Sequence, residues 1–591
     1  MLCCAVLLVK AQGYRLNIRF TGKDTVSGTN QNPSLLNILT TFQGKTQCVE
    51  YIGKLPSLLA AKGYPVASID TVYFDSTSAY IDLFTGPAYT SVTVNADSVE
   101  PKARDAVGWN SETYQNKLLD FADIKLQQQR MLRYYENSGY PFATVRLDNI
   151  TIEGEHLGAD LRVSKGPLYH IDSIRIYGKV KIKNLFLQRY LGITNASVYN
   201  ADRLEKLSKR LLELPYLQEE KRWDITMLGT GAILNLYLMP KRSSQVNFLV
   251  GFLPANAITG KSLLTADVNL NLKNSLAAGE SILLKWQQLQ PKSPRLNAGY
   301  QHPYIFNSPF GIDFRFDLLK RDSSYLMIDG QLGLQYLLSA NRSGKVFIQN
   351  QRSYLLQGGV DTNRIKLTKK LPPNIDVSST NLGLDYEWRN TNYIYNPRVG
   401  SEFKITTTFG IKKLTRNNDI VNLKDPSNPG FKFSALYDSL KLRTYQYRLH
   451  VNVAHYIPAA KRSVLKLGVN AGIFGSESIF RNELFQIGGY ALLRGFDEES
   501  IYATRYGVLT AEYRYITALN SFLFTFADFG LIKTRYQEIN KENNFMGIGA
   551  GINFEQKFGL LNFSYAIGKR SDTKFNIRGA SKIHFGYINY F

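Results

Sequence analysis

The segment QIGGYALLRGFDEES, residues 486–500, contains the residues with the clearest potential for chemistry. Arg494 lies between Leu493 and Gly495, Phe496 follows, and three acidic residues come next. A guanidinium is always charged and binds carboxylates through a planar fork of donors, so burying it would require an acidic partner. The glycines would let the backbone approach another surface closely. The pattern fits neither a strand nor a helix, so the segment predicts a loop whose arginine lies among apolar residues, glycines and acids.

Patterns of catalysis and metal binding are weak elsewhere in the chain. Of the six histidines, His450 and His455 lie five positions apart in a strand-like region, which places them on opposite faces. There is no HExxH, no P-loop, and no GxSxG in a strand–turn–helix setting. The cysteines Cys3, Cys4 and Cys48 form no CxxC pair. The sequence therefore predicts a protein that is not an enzyme, with no metal site and no cofactor.

The composition favours a membrane surface over nucleic acid. The 591 residues include 71 Lys and Arg against 48 Asp and Glu, a net charge of +23, with 37 Tyr and 33 Phe. Nucleic-acid binders usually concentrate their basic residues in one patch, whereas here they are spread along the chain. A basic, aromatic-rich chain is suited to anionic lipid. We expect a lipid bilayer with anionic lipid as a partner, and no nucleic acid.

The N-terminus resembles the end of a secretory signal. An apolar run covers residues 2–9 and ends at the small residue Ala11, so residues 1–13 are predicted to be the remnant of a signal peptide. Two alternatives stay open, a lipoprotein signal that uses Cys3 or Cys4 and a buried N-terminal strand. No apolar stretch reaches 18 residues, so no transmembrane helix is expected, whereas barrel strands leave only a faint hydropathy signal.

The N-terminal part contains a repeat. AAKGYPVASIDTVYFD (60–75) recurs as ENSGYPFATVRLDNIT (136–151), and TGPAY (85–89) recurs as KGPLY (165–169). LMPKR (238–242) closes a third unit. Similarity at a fixed period indicates repeated modules. In the Gly-Tyr-Pro corner, the glycine would end a helix in the left-handed conformation and the proline would prevent its continuation.

Each repeat predicts a small α/β module with the order strand, helix, helix, strand, strand. The predicted boundaries are residues 14–88, 89–167 and 168–242. In the third module, residues 200–214 predict an amphipathic helix whose leucines share one face. The first module is the least regular, because its entry strand is followed by a loose polar stretch.

From about residue 245 onward, alternating strands replace the helical pattern, and no convincing helix appears. In VLTAEYRY (508–515), apolar residues alternate with Thr510, Glu512 and Arg514. A soluble sandwich and a membrane barrel both show such alternation. The length of the region, the aromatic residues near strand ends and the terminal aromatic favour a barrel. Residues 243–591 therefore predict a transmembrane antiparallel β-barrel of about 16 strands.

These motifs together resemble the BamA/TamA superfamily of outer-membrane proteins, in which POTRA modules precede a barrel of the bacterial surface antigen type. The motifs that carry the resemblance are LLRGF (492–496), LDYEWRNTNYIYNPRVGSEF (384–403), HPYIFNSPFGIDF (302–314), FADFG (526–530) and GYINYF (586–591). Three modules make the resemblance TamA-like, since BamA proteins often carry five.

The resemblance implies that the arginine loop folds back into the barrel lumen. The loop motif consists of Arg494, Gly495 and Phe496. Glu512, on the polar face of the next strand, is a candidate partner of the arginine. Asp528 is the second candidate. It lies on the same face of its strand as Phe524 and Phe526, so we expect it to need a bulge or a strand end to face inward. The alternative is a surface turn whose arginine meets solvent.

The resemblance also implies a factor for the assembly or translocation of outer-membrane proteins. Unfolded outer-membrane or exported proteins would enter through periplasmic POTRA modules and add as strands at a weakly closed seam between residues 245–253 and 582–591. The residues assigned to the C-terminal seam are Phe585, Tyr587 and Phe591. Further expected partners are anionic outer-membrane lipid and a periplasmic or inner-membrane accessory subunit. The alternative is a secretion transporter for one dedicated partner, although its expected plug helix is not recognisable; a passive channel would leave the soluble modules unexplained.

Overall fold

The structure is a computed structural model of the chain. It describes residues 13–21, 36–89, 91–109, 120–229, 231–253, 263–288, 292–339, 341–393, 396–556, 559–573 and 576–590. Residues 1–12 of the predicted signal remnant lie outside the described residues. No helix among the described ranges is long and apolar enough to cross a bilayer.

The chain forms two compact units. The first contains Met1–Ile174, Thr194–Lys206 and Ile225–Leu234, and the second contains Arg175–Ile193, Leu207–Asp224 and Asn235–Phe591.

The first predicted module contains a four-stranded sheet in the order β2-β1-β4-β3. Its elements are β1 (Tyr14–Thr21), β2 (Thr41–Phe42), α1 (Lys45–Ala60), β3 (Ser68–Phe74) and β4 (Ser78–Phe84). Helix α1 buries Cys48, Ile52, Leu55 and Leu59, whose spacing places them on one face of the helix. The stretch 22–35, where the other predicted helix of this module would fall, lies outside the described residues.

The second module has the predicted order of elements, with a sheet in the order β5-β7-β6. The elements are β5 (Ser91–Asn95), α2 (Pro101–Val107), α3 (Phe121–Asn137), β6 (Thr144–Glu153) and β7 (His156–Ser164). Asp120 starts α3 because its side chain accepts hydrogen bonds from the backbone N–H groups of Ala122 and Asp123.

The third module also contains a four-stranded sheet, in the order β10-β11-β8-β9. Its elements are β8 (His170–Tyr177), α4 (Asn184–Leu191), β9 (Ser197–Val198), α5 (Ala201–Glu205), α6 (Leu207–Glu213), β10 (Leu217–Leu228) and β11 (Gly231–Pro240). The helix predicted over 200–214 is therefore interrupted at Lys206, between α5 and α6. Asn200 caps α5 by accepting from the N–H of Arg203.

The repeated glycine corners have the same geometry in the first two modules. Gly63 and Gly139 have φ angles of +92° and +101°, as expected of glycines that end a helix. The N–H of Tyr89 donates to the carbonyl of Gly63, and the N–H of Tyr169 donates to the carbonyl of Gly139, both at 2.8 Å. The repeated sequence therefore encodes a repeated hydrogen bond between the end of a helix and the entry of the next module.

The C-terminal region forms the predicted barrel, closed and antiparallel. Its strands are β12 (Gln245–Leu253), β13 (Leu263–Lys273), β14 (Ser281–Gln288), β15 (Pro294–His302), β16 (Phe310–Arg321), β17 (Tyr325–Ser339), β18 (Arg342–Leu355), β19 (Val377–Thr391), β20 (Gly400–Leu414), β21 (Arg443–Ala460), β22 (Ser463–Ser476), β23 (Phe485–Ile487), β24 (Ile501–Ala503), β25 (Arg505–Ile516), β26 (Phe522–Tyr536), β27 (Ile539–Gln556), β28 (Gly559–Arg570) and β29 (Ser581–Tyr590). β23 and β24 pair only with each other, and the other 16 close the barrel.

Long connections at one end of the barrel carry short helices that the sequence pattern did not predict. We call this the loop end, and the opposite end, where β12 begins, the turn end. The helices are α7 (Thr362–Thr368), α8 (Asn418–Val421) and α9 (Ile577–Ala580). Asp361 caps α7, and a small apolar core around Ile365, Ile420 and Phe433 holds the connections together. These helices are too short to produce a visible helical period in the sequence.

Helix α4 packs against the turn end of the barrel, within the second compact unit. The N–H of Lys183 donates to the carbonyl of Ala277 at 2.7 Å. The rings of Phe186 and Tyr304 lie 5.7 Å apart. A Cβ at Gly279 would lie 2.2 Å from the ring of Phe186, so a larger residue would push the helix away.

The internal loop and the barrel seam

The arginine motif lies at the tip of the connection between β22 and β25. β23 and β24 pair to form a hairpin, and residues 488–500 form its tip, which we call the inner loop. The side chains that hold the inner loop lie on the buried, inward-facing positions of strands on several sides of the barrel. The inner loop therefore lies within the lumen, as the resemblance implied.

Arg494 binds both of the carboxylates that the sequence proposed. Its Nε and Nη2 donate to the two oxygens of Asp528 at 2.9 Å each, and its Nη1 donates to Glu512 Oε2 at 2.5 Å. The guanidinium carbon lies 3.5 Å from the centre of the Phe526 ring, a close cation–π contact. Arg494 is 9% exposed and Asp528 only 1%. One buried cation thus joins the inner loop to β25 and β26.

Asp528 faces the lumen without a bulge, so the expectation that it needs one was wrong. The register of β26 is continuous against both neighbouring strands. Phe524 and Phe526 are buried on the same face as Asp528, and the rings of the two phenylalanines stack 6.2 Å apart. The expectation assumed that aromatic residues face lipid, whereas these two line the lumen beneath the guanidinium. Thr510 donates a further hydrogen bond to Asp528 at 2.9 Å.

The two residues that follow the arginine pack against the wall. Gly495 has a φ angle of +94°, and a Cβ there would lie 2.6 Å from the backbone nitrogen of Gly568 on β28. Phe496 packs edge-on against Phe545 with ring centres 5.3 Å apart. The close approach therefore requires glycine on the loop. It requires glycine on the wall as well, because a Cβ on Gly568 would lie 2.4 Å from the carbonyl oxygen of Gly495.

The acidic residues after the motif hold the loop to other parts of the wall, a role the sequence did not assign. Asp497 pairs with Lys582 on β29 at 2.5 Å. Glu499 accepts from Arg295 on β15 at 2.5 Å and from Arg321 on β16 at 3.0 Å. These basic partners lie far away in the sequence. The run of acids after the arginine indicated that basic partners could exist, but it did not indicate which residues they are.

Glu498 turns back onto its own loop. It accepts a hydrogen bond from the N–H of Tyr490 at 2.5 Å. A Cβ on Gly489 would meet the carboxylate of Glu498 at 2.0 Å. The Gly488–Gly489 pair therefore serves the close folding of the loop on itself.

The base of the hairpin is fixed by a second buried ion pair. Lys412, fully buried on β20, binds Glu483 with its Nζ 2.9 Å from Oε1. The carbonyl of Glu483 accepts from Arg448 at 2.5 Å. Asn482 donates to Ser353 and to the carbonyl of Ile375 at 2.8 Å each. Base and tip are thus held by separate charge pairs, so the position of the loop does not depend on Arg494 alone.

The seam joins the first and last barrel strands, as predicted. β12 pairs with β29 from Gln245–Tyr590 to Phe252–Ile583. The weak closure expected from the resemblance is not seen between these residues, since they pair without a register shift. Phe585 is exposed on the outer face, Tyr587 is half-buried on that same face, and Phe591 lies outside the described residues.

We call β28, β29, β12 and β13 the seam wall, and on its lumen side several described side-chain polar atoms make no hydrogen bond. Buried polar atoms without a hydrogen-bond partner among the described residues occur there on four adjacent strands. They are Asn247 Oδ1, Asn269 Oδ1, Asn271 Oδ1, Asn562 Oδ1, Ser564 Oγ and His584 Nε2. β25 and β26, by contrast, carry the saturated cluster around Arg494. The contacts described between β12 and β29 are those of the paired backbones.

The fold and the site define the class of this protein as a closed 16-stranded β-barrel whose lumen holds a loop fixed by a buried arginine. Residues 274–587, more than half of the chain, match the Omp85 superfamily domain. The chain belongs to the Omp85 superfamily, and its barrel places it in the outer membrane.

Solved structures of similar fold share little sequence with this chain. CdiB from Acinetobacter baumannii gives a TM-score of 0.54 at 13% identity, covering 85% of this chain and 89% of that one. CdiB from Escherichia coli gives 0.53 at 13%, covering 92% and 97%. BamA from Haemophilus ducreyi lacking POTRA domains 1-3 gives 0.46 at 15%, covering 85% and 99%. The chain has no match among curated protein sequences.

Proposed function

We propose that the protein assembles client β-barrels in the outer membrane by admitting their strands at the seam between β12 and β29. The N-terminal modules lie in the periplasm and receive unfolded outer-membrane or exported proteins. The inner loop keeps β25 and β26 in place while the seam opens. The protein makes no covalent bond and needs no cofactor. An accessory subunit in the periplasm or inner membrane would deliver clients to the modules.

The observation that carries this proposal is the uneven bonding of the lumen wall. An opening barrel must break backbone hydrogen bonds along one pair of strands, and strand exchange replaces each of them with an equivalent bond to the client. Breaking costs least where few side-chain bonds must be lost as well. The seam wall, with its unpartnered buried polar atoms, meets that condition, whereas the β25–β26 wall does not.

The module sheets support the proposed entry of clients. The equivalent strands β3, β6 and β10 lie at an edge of their sheets. β3 exposes Val72 and Tyr73, and β6 exposes Ile150 and Ile152. An edge strand with exposed apolar side chains offers both backbone groups and contact surface to an extended client.

A disulfide across the seam tests the proposal. Phe248 and Tyr587 are directly opposed on β12 and β29. Opposed residues of antiparallel strands lie about 4.5–5.5 Å apart, which suits a disulfide. We expect oxidised F248C/Y587C to block assembly of outer-membrane barrels, measured by quantitative proteomics of isolated outer membranes, and reduction to restore it. Cys48 is buried and does not compete.

The matched control ties β29 to its other neighbour. Phe563 and Phe585 are opposed on β28 and β29, away from the seam. Oxidised F563C/F585C should leave assembly intact. Normal assembly by the oxidised seam variant would reject the proposal. A seam disulfide that stops the export of a single partner, with other barrels unchanged, would instead identify a secretion transporter.

A further inference from the structure

Three cations form a row on the outer wall of the barrel at the loop end. In the register of β18 to β21, Arg352 lies opposite Ser378, Ser378 opposite Lys413, and Lys413 opposite Arg443. The three charged side chains are exposed. Their chain neighbours, which point into the lumen, are buried: Ser353, Lys412 and Thr444. We call Arg352, Lys413 and Arg443 the cation row.

The cation row has no acidic partner among the described residues. Three acidic residues of the adjoining connections are engaged elsewhere, whereas Asp419 lines the same cavity as Arg352. Asp376 accepts from Leu355 N and Asn417 Nδ2, Asp438 pairs with Arg416, and Glu477 pairs with Lys441. Like charges directly opposite each other on neighbouring strands destabilise a sheet, and Lys413 opposes Arg443. An anion held between them would remove that repulsion.

The row lies above an apolar band on the same four strands. Four residues further toward the turn end, Ile348, Leu382, Phe409 and Tyr447 lie opposite one another in register and are all exposed. Four residues span ~13 Å of strand, or roughly 10 Å of height at the usual barrel tilt. That places the cations at the level of lipid headgroups when the apolar band lies in the hydrocarbon.

The surroundings of the row suit a headgroup with attached chains. Tyr445, between the row and the band, stacks on Phe409 with ring centres 5.9 Å apart, and forms a flat aromatic surface at the interface. A cavity of about 440 Å³ is lined by Arg352, Ser378 and Arg416, and also by Asp376 and Asp419. Arg352 and the serine hydroxyl offer donors to phosphate oxygens, whereas Arg416 is already paired with Asp438.

We propose that the cation row binds the phosphate of an anionic lipid in the outer leaflet, with the lipid chains lying against the apolar band. A free phosphate would satisfy the cations but would leave the aligned apolar residues without a role, so the structure favours the lipid. This inference rests on the outer-membrane location and on the proposed placement of the turn end on the periplasmic side, and not on how clients are handled. The seam disulfide therefore tests a different part of the molecule.

Native mass spectrometry of the full-length protein tests the site. The protein is titrated with phosphatidic acid and separately with phosphatidylcholine, and the affinity for the first bound lipid is measured. We expect R352Q/K413Q/R443Q to bind phosphatidic acid about 100-fold more weakly, about fivefold per cation, with phosphatidylcholine unchanged. K413Q alone, which relieves the repulsion with Arg443 and should fold normally, should lose about fivefold.

The matched control removes three exposed cations at the loop end that are not in register: Lys320, Arg505 and Lys569. K320Q/R505Q/K569Q should bind phosphatidic acid as the wild type does. Equal loss in this control would mean that general surface charge attracts the lipid, which overturns the site. Unchanged binding by the K413Q and triple variants would also overturn it. Displacement of phosphatidic acid by equimolar inorganic phosphate would reject the lipid as the occupant.

Discussion

Replacing Arg494 with methionine should release the inner loop from the barrel wall. The substitution removes three side-chain hydrogen bonds, two to Asp528 and one to Glu512, together with the cation–π contact on Phe526. The methionine keeps an apolar stem of similar length. The loss is therefore chiefly one of charge, and it leaves a carboxylate buried without its partner.

The free-energy cost of R494M depends on which hydrogen bonds the two carboxylates retain. Removing one partner of a buried ion pair costs ~3–5 kcal/mol. Asp528 retains hydrogen bonds from Thr510 and from the backbone N–H of residue 494, and Glu512 retains Arg514 at 2.8 Å. We therefore expect the lower end, about 3 kcal/mol, which corresponds to a fall of ~150-fold in the ratio of docked to released loop.

Hydrogen exchange of the membrane-embedded protein measures that ratio directly. Amides within residues 488–500 should exchange faster in R494M by about two orders of magnitude, while the barrel strands keep their protection. R505M, which removes an exposed arginine from β25, is the matched control and should change nothing. If exchange of the inner loop is the same in R494M and wild type, then Arg494 does not hold the loop, and the reasoning fails.

A second substitution separates charge from packing. Asp528→Asn in the R494M background removes the unpaired carboxylate, so the double variant should be more protected than R494M alone. The two changes are in direct contact and should be strongly non-additive. Additive effects would show that the inner loop is held by packing around Leu493 and Phe496, and that the ion pair contributes little.

Two further outcomes are expected. G495A should also undock the inner loop, because its methyl group would lie 2.6 Å from Gly568 N at a positive φ. G507A is the control: its methyl group meets no atom within 4 Å, so the exchange rates of the inner loop should not change. In the modules, Arg133 binds Glu205 at 2.8 Å and holds the pKa of that carboxyl below its usual value. The contact therefore stabilises the module above a pH of about 4.3 and is lost as acid protonates the carboxyl. Spin-label distances between α3 and α5 should broaden in R133M at neutral pH and in the wild type only in acid, and a distance distribution insensitive to both changes would contradict the contact.

The sequence predicted much of the loop's chemistry because local spacing constrains it. The Arg-Gly-Phe motif implied, through its resemblance to the family, a buried arginine with an acidic partner and a close approach at the glycine, and the structure shows both at Arg494 and Gly495. Glu512 was recognisable because its strand alternates cleanly between apolar and charged residues. The repeated glycine corners were recognisable for a similar reason, since Gly63 and Gly139 follow helices of known period.

The error at Asp528 shows what alternation leaves undecided. A strand has a period of two, so sequence fixes which residues share a face but not which face turns inward. On β26 both faces carry apolar residues, and the aromatic face was assigned to lipid. The lumen instead holds Phe524 and Phe526, because a guanidinium from the inner loop covers the Phe526 ring and Phe524 stacks on that ring.

The sequence by itself determined the repeated modules, a barrel of about 16 strands, and the arginine loop, because each depends on periodicity or on residues close together in the chain. Only the tertiary structure decided what that loop binds. Asp497 meets Lys582, and Glu499 meets Arg295 and Arg321, across a lumen that closure of the barrel creates. Partners so distant in sequence come together only when β12 pairs with β29, because the ring of strands sets every distance across it.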